Sequence, residues 1–264
     1  MQLYIDPKGG MAGDMFAAAL ISAGADEKLM VEAMLLAANK IGKASIKTSL
    51  THDSAHRLHI EIEHHHGHLS GHKAYHLLED IFAELKIEER YQAFGFRALK
   101  ALVEAEIKAH KENTFLTDHI HAHHHHHHNE SADHDHHHEK EDAYLHEAQD
   151  ILIDITGAVY GLQLLNASTE ARLTNPVSLG GGHITFSHGH LPVPAPATKI
   201  IFDKNNLPGD LGPLDVELCT PTGAAILAGL EAKKVSEFPT SFTKEGTSRG
   251  GKDFEIPPLK LMLE

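Results

Sequence analysis

One cysteine in 264 residues, Cys219, leaves no partner for a disulfide within the chain and suits a reducing compartment. Long apolar runs are missing too: nothing approaches the roughly 18–20 residues that cross a bilayer. The opening MQLYIDPKGG has no basic stretch followed by an apolar one, so no signal peptide is expected and the chain reads as cytoplasmic. Positive charge is short. Lys and Arg number 23 against 37 Asp and Glu, a formal net charge of −14 with histidine neutral, which disfavours nucleic acid and anionic lipid as partners. No internal repeat is visible. Neither a dinucleotide fingerprint nor a P-loop is present, because the glycine spacings do not match and the P-loop lysine is missing.

Histidine is what the sequence has in excess, 26 residues, many of them in two clusters. The first contains His64, His65, His66 and His68. The second, HIHAHHHHHHNESADHDHHHEKE over residues 119–141, contains His123, His124, His125, His126, His127 and His128. An affinity tag sits at a terminus and needs no carboxylates, so this internal run is read as native. Neutral imidazole is a good ligand for borderline transition ions, and near pH 6 its protonation would offset much of the negative charge. A stretch of this composition cannot pack a core.

Outside the clusters, apolar periodicity predicts structure. LYID reads as a short buried strand, ASIKTSL and RLHIEIE alternate as a hairpin, and three- and four-residue spacing predicts helices over 14–23, 27–40, 73–85, 88–111 and 144–165. One more helix is expected near Pro221. Strands and helices interleave, so the class is α/β or α+β: mixed sheets with packed helices, interrupted by a disordered His-rich loop. The chain divides into 1–113, 114–142 and 143–264, the first and last able to form one domain.

Five stretches could carry chemistry. In DPKGGMAGDM a glycine-rich turn meets a helix start, where Gly10 and Gly13 would let an anion approach free amides. Asp14 there suits a cation or a cap instead, and a plain capped turn explains the stretch equally. In HEAQDILID, His146, Asp150 and Asp154 fall one helical turn apart on one face, a mixed N/O set for a divalent transition metal, or else a solvated acidic first turn. His183, His188 and His190 precede Pro192, Pro194 and Pro196, which predict a rigid polyproline-like rail; one of these histidines could be a ligand or general base. Thr220 and Pro221 fit the cap and first position of a helix, putting Thr222 and Gly223 in its first turn. That makes an anion pocket or an ordinary helix start. EGTSRGGKDF offers Arg249 and Lys252 on a glycine-rich loop, suited to a phosphate or carboxylate.

Taken in order, GMAGDMF, HGHLS, HEA…DILIDITGA, HGHLPVPAPAT, ELCTPTGAAIL, GTSRGGKDF and PPLKLMLE resemble the LarC family of nickel insertion proteins, across essentially the whole chain. The resemblance implies a chelatase or cyclometallase of the lyase class. It would insert Ni(II) into pyridinium-3,5-bisthiocarboxylic acid mononucleotide, making two nickel–sulfur bonds and one nickel–carbon bond of the lactate racemase cofactor as CTP is hydrolysed. It further implies that the family's CTP-binding second domain, with its divalent metal, comes from a partner chain, and that oligomerisation can occur. On that reading the His clusters with His146, Asp150 and Asp154 gather metal. His188 or Asp14 is the base, and Gly10, Gly13, Thr220, Thr222, Gly223 and Arg249 hold the substrate. A non-catalytic nickel storage or delivery protein is the alternative.

Overall fold

The computed structural model describes residues 1–63, 69–112, 144–145, 148–186 and 189–264. Its main element is a seven-stranded sheet. Strand β1 (Leu3–Asp6) is followed by the hairpin β2 (Ala44–Leu50) and β3 (His56–Ile62), which closes in the register Ile46↔Ile60 and Thr48↔Leu58. Short strands β4 (Leu69–Ser70) and β5 (Tyr144–Leu145) pair with each other. Next come β6 (Ala171–Leu173), β7 (Val177–Ser178), β8 (His183–Phe186), β9 (Gly189–Pro192), β10 (Gly209–Asp210) and β11 (Lys233–Lys234). Strands β12 (Lys244–Ser248) and β13 (Leu259–Leu263) complete the sheet in the order β11-β6-β1-β13-β12-β3-β2. It is mixed: β1 runs parallel to β6 and antiparallel to β13, and β12 runs parallel to β3. Strands from either side of the long His cluster therefore share one sheet. Leu50 alternates with Ile46 yet is 64% exposed, because it ends the edge strand where the turn to His56 begins.

Seven helices lie among the described residues: α1 (Gly13–Ser22), α2 (Glu27–Ala38), α3 (Gly71–Glu84), α4 (Glu89–Glu112), α5 (Ala148–Leu164), α6 (Pro196–Asn205) and α7 (Pro221–Gly229). Two differ from the periodicity. Helix α5 begins at Ala148 rather than 144, because Tyr144 and Leu145 pair with Ser70 and Leu69. The proline rail is short: Pro192 ends β9 and Pro196 opens α6, where the missing N–H of proline costs nothing. No helix among the described residues is long and apolar enough to cross a membrane.

Helix α5 is the hub. Its apolar residues run all the way round, which fits a helix surrounded by others, and it packs against α1, α2, α3, α4 and α7. Small residues set its distance from α1. A Cβ on Gly157 would come within 3.0 Å of Ala17, and one on Gly161 within 2.8 Å of Leu20. Asp154 lies on the same face, three residues before Gly157, so this close seat slides its carboxylate under the first turn of α1. There it leaves no room for any side chain at position 13, where a Cβ would lie 2.2 Å from Asp154 Oδ2.

Candidate functional site

Two helix starts meet above Asp154. The Met11 N–H donates to the Leu218 carbonyl at 2.8 Å and the Thr220 N–H donates to the Met11 carbonyl at 3.0 Å, a short parallel bridge between the loop before α1 and the segment before α7. Gly10 and Gly223 make the contact possible. Gly10, at φ +90°, packs on the Leu218 carbonyl, and a Cβ on Gly223 would strike the Met11 carbonyl at 2.1 Å. The Thr220 hydroxyl accepts from the Gly223 N–H at 3.1 Å, as expected of an N-cap. Ser248, fully buried on β12, donates to the Met15 carbonyl at 2.6 Å and ties the start of α1 to the sheet.

A cleft of about 570 Å³ opens at this junction. Asp14, Glu61, Glu106, Asp150, Asp154 and Glu217 reach it, with His59 and His110, and no Lys or Arg among the described residues lines it. Six carboxylates around one space give this lobe an acidic lining. Apolar walls come from Leu58, Ile60, Leu102, Ile151 and Leu191. A second lobe of about 550 Å³ shares Ala12, Asp14, Glu217, Thr220 and Gly251 with the first, and adds His183, Arg249, Gly250 and Lys252. The two lobes differ in lining: the first is acidic, while the second adds Lys252, and an Arg249 held by Asp53, to the carboxylates they share.

The carboxyls feel this crowding. Burial pushes the Asp154 carboxyl well above the usual carboxylate range, and the charges of Asp14 and Asp150 push it further. A hydrogen bond from the Thr222 hydroxyl opposes the rise. Asp154 is only 8% exposed. Burial also raises Asp14, against the Met15 N–H, which donates to Asp14 Oδ1 at 2.7 Å, and the nearby Arg57 guanidinium. Burial thus makes the Asp14 carboxyl hold its proton more tightly than an exposed aspartate does.

Several residues singled out in the sequence are brought together here: Asp14, Asp150, Asp154, Thr220 and Thr222 all line the acidic lobe. Asp150 and Asp154 sit one turn apart on α5. Among the described residues, no three His, Cys, Asp or Glu side chains converge as a ready ligand set. Gly10, Gly13 and Gly223 serve the contact between the two helix starts. Arg249 is absorbed by the fold. Its Nη2 donates to Asp53 at 2.6 Å, and its Nη1 donates to the Phe254 and Ile256 carbonyls at 3.1 and 2.8 Å. His64, His65, His66, His68, His123, His124, His125, His126, His127, His128, His146 and His188 lie outside the described residues. Glu61, Glu106, His110 and Glu217 were not singled out: Glu61 and Glu217 come from separate elements, while Glu106 and His110, one turn apart on α4, were read only as part of its polar face; the presence of Glu217 in ELCTPTGAAIL was the one hint.

Comparison with known proteins gives one answer. The family described as nickel insertion protein matches residues 3–133 and 120–264. A pyridinium-3,5-bisthiocarboxylic acid mononucleotide nickel insertion protein from Thermotoga sp. strain RQ2 is 33% identical over 272 residues, covering 97% of this chain and 59% of the relative. Proteins of the same name from Clostridium kluyveri and a Nocardioides species are 32% and 27% identical, over 97% and 98% of this chain. The chain thus spans about 58–59% of the length of these relatives. No solved structure matches significantly.

Proposed function

The chain belongs to the nickel insertion protein family, and from that premise we propose that it inserts Ni(II) into pyridinium-3,5-bisthiocarboxylic acid mononucleotide to form the nickel-pincer cofactor of lactate racemase. One observation supports this reading above the rest. GMAGDMF, DILIDITGA, ELCTPTGAAIL and GTSRGGKDF, four of the seven separated stretches that carry the resemblance, all contribute to one two-lobed cleft.

The cleft offers something to each reactant: carboxylates for the metal, and Lys252 with a glycine backbone for a phosphate. Nickel is a substrate here, and the acidic lobe would draw it, with Asp150 and Asp154 at its wall and the His clusters gathering it from solution. Making a nickel–carbon bond requires the ring carbon to lose a proton. Asp14, at the meeting of the lobes and raised by burial, is our first choice of base among the described residues; His188 is the other. The substrate phosphate belongs in the second lobe. At the α7 start the Gly223 N–H already goes to Thr220, and the Thr222 hydroxyl is committed to Asp154. Gly250 and Gly251 are different. A Cβ on Gly251 would meet nothing within 4 Å, and one on Gly250 only Met15, at 3.4 Å or more. Packing does not demand either glycine, which is what a backbone bared for a ligand would look like, and Lys252 follows at once.

CTP hydrolysis is assigned to the portion of the family's length outside these 264 residues, whether on the same chain or a partner. The test is product formation from nickel, the thiocarboxylated mononucleotide and CTP, with and without that portion. Production of the pincer complex that disappears in Asp14→Ala supports the reading. Nickel binding without product in the complete mixture leaves the storage or delivery role instead.

A further inference from the structure

Away from the cleft, helix α3 presents two exposed histidines one turn apart. His72 Nε2 and His76 Nε2 face each other at 3.2 Å, their rings nearly perpendicular at 82°. We infer that His72 and His76 form a two-imidazole seat for a single divalent first-row transition ion, distinct from the acidic cleft and independent of the insertion reaction.

The geometry carries this. Two nitrogens about 2.0–2.1 Å from one metal, at the right to tetrahedral angles such ions prefer, stand roughly 2.9–3.4 Å apart. The observed separation lies inside that window. Spacing of i and i+4 on a helix is the arrangement that places two imidazoles on one metal. Glu79, one turn further on, adds a feature seen behind metal-bound histidines: its Oε2 is 3.6 Å from His76 Nδ1. A carboxylate there favours the tautomer with hydrogen on Nδ1, leaving the Nε2 lone pair turned toward His72. Asp80, exposed on the same stripe, adds negative charge; Lys73, about 100° from His72 and about 60° from His76, flanks the pair on the other side.

Little ordering is left to do. Ala74, Leu78, Ile81 and Phe82 bury the opposite face of α3, and the Ser70 hydroxyl caps its start by accepting from the Lys73 N–H at 3.2 Å. An N–H···N hydrogen bond could use the same distance, but on a solvated face it would compete with water for little gain. A chelated ion gains two bonds from the same pair.

Nickel chloride is titrated into the full chain while histidine modification by diethylpyrocarbonate is read residue by residue by peptide mass spectrometry. His72 and His76 should become protected together, over one nickel concentration range. In His72→Ala, the nickel concentration that half-protects His76 should rise by at least about tenfold, as loss of one member of a ligand pair implies, and His76→Ala should do the same to His72. Both changes are on an exposed helix face and to the best helix former, so circular dichroism should not move. Protection of His76 that is unchanged in His72→Ala overturns the inference, as does modification of both residues at nickel concentrations that protect other histidines of the chain.

Discussion

Replacing Asp154 by asparagine in the metal-free protein separates what the fold prefers from what the site requires. Asp154 is buried beside Asp14 and Asp150, and its carboxyl is held well above the usual range, by burial first and by those two charges next. Above about pH 4, near the ordinary carboxylate value, the unfolded chain has released a proton that the folded protein keeps. The folded state then binds more protons, so stability falls as pH rises from about 4 through the raised value in the folded protein. Asparagine keeps the shape, can accept the Thr222 hydroxyl through its carbonyl oxygen, and carries no charge. Removing a crowded, buried charge should therefore make Asp154→Asn more stable near pH 7, by on the order of 1–3 kcal/mol, the usual size of a single-site effect. For a domain of this size that is a rise in Tm of roughly 2–10 °C. The gain should shrink toward zero near pH 4, where the wild-type carboxyl is protonated in both states. Thermal and urea unfolding in the presence of a chelator, across about pH 4 to 8, measures it. A variant less stable than wild type near pH 7, or a gain that does not diminish with acid, refutes the argument that charge crowding dominates at this site. Insertion activity should fall in the same variant, the usual cost of relieving a strained site.

Gly157→Val should cost about 1–3 kcal/mol by forcing α5 away from Ala17 and Met34, read as a lower urea midpoint. Arg249→Ala should cost about 2–3 kcal/mol, because two carbonyls and Asp53 lose their donor. Arg249 holds the Asp53 carboxyl below the usual range, so this contribution is present at neutral pH and is lost only as acid drops below about pH 4 toward the depressed value, which an acid unfolding series will show. Gly251→Val should leave stability within about 0.5 kcal/mol yet weaken binding of the mononucleotide, because its Cβ position is open in the protein alone; unchanged substrate affinity would move the phosphate elsewhere.

Periodicity carried most of the fold. The β2–β3 alternation and the apolar stripes of α1 to α4 place their faces without tertiary information, and all four helices begin and end within two residues of the expected bounds. Helix α6 escaped because VPAPAT reads as extended until Pro196 is recognised as a first helical residue. In the site, the pairing of Asp150 with Asp154 follows from one helix, but the approach of Asp14 does not. That approach depends on Gly157 and Gly161 drawing two distant helices together. Glu106 and Glu217 reach the cleft from α4 and from the segment before α7, so only the folded chain reveals six carboxylates around one space.

The sheet also sets a timetable for synthesis. Its central ladder pairs Leu3 with Leu263 and Ile5 with Leu261, while β12 joins β3 only through the single register Ser248↔His56. At roughly 5–20 residues per second, translation reaches β13 about 13–50 s after β1 has emerged. Until then β1 lacks its β13 neighbour, and the two ends of the sheet have no strand between them. Pairing across so long a stretch of chain is slow because loop closure comes before reward. The nascent protein therefore waits with Leu3 and Ile5 uncovered along one edge, and this interval, rather than the stability of the finished fold, is where a holding chaperone would matter most.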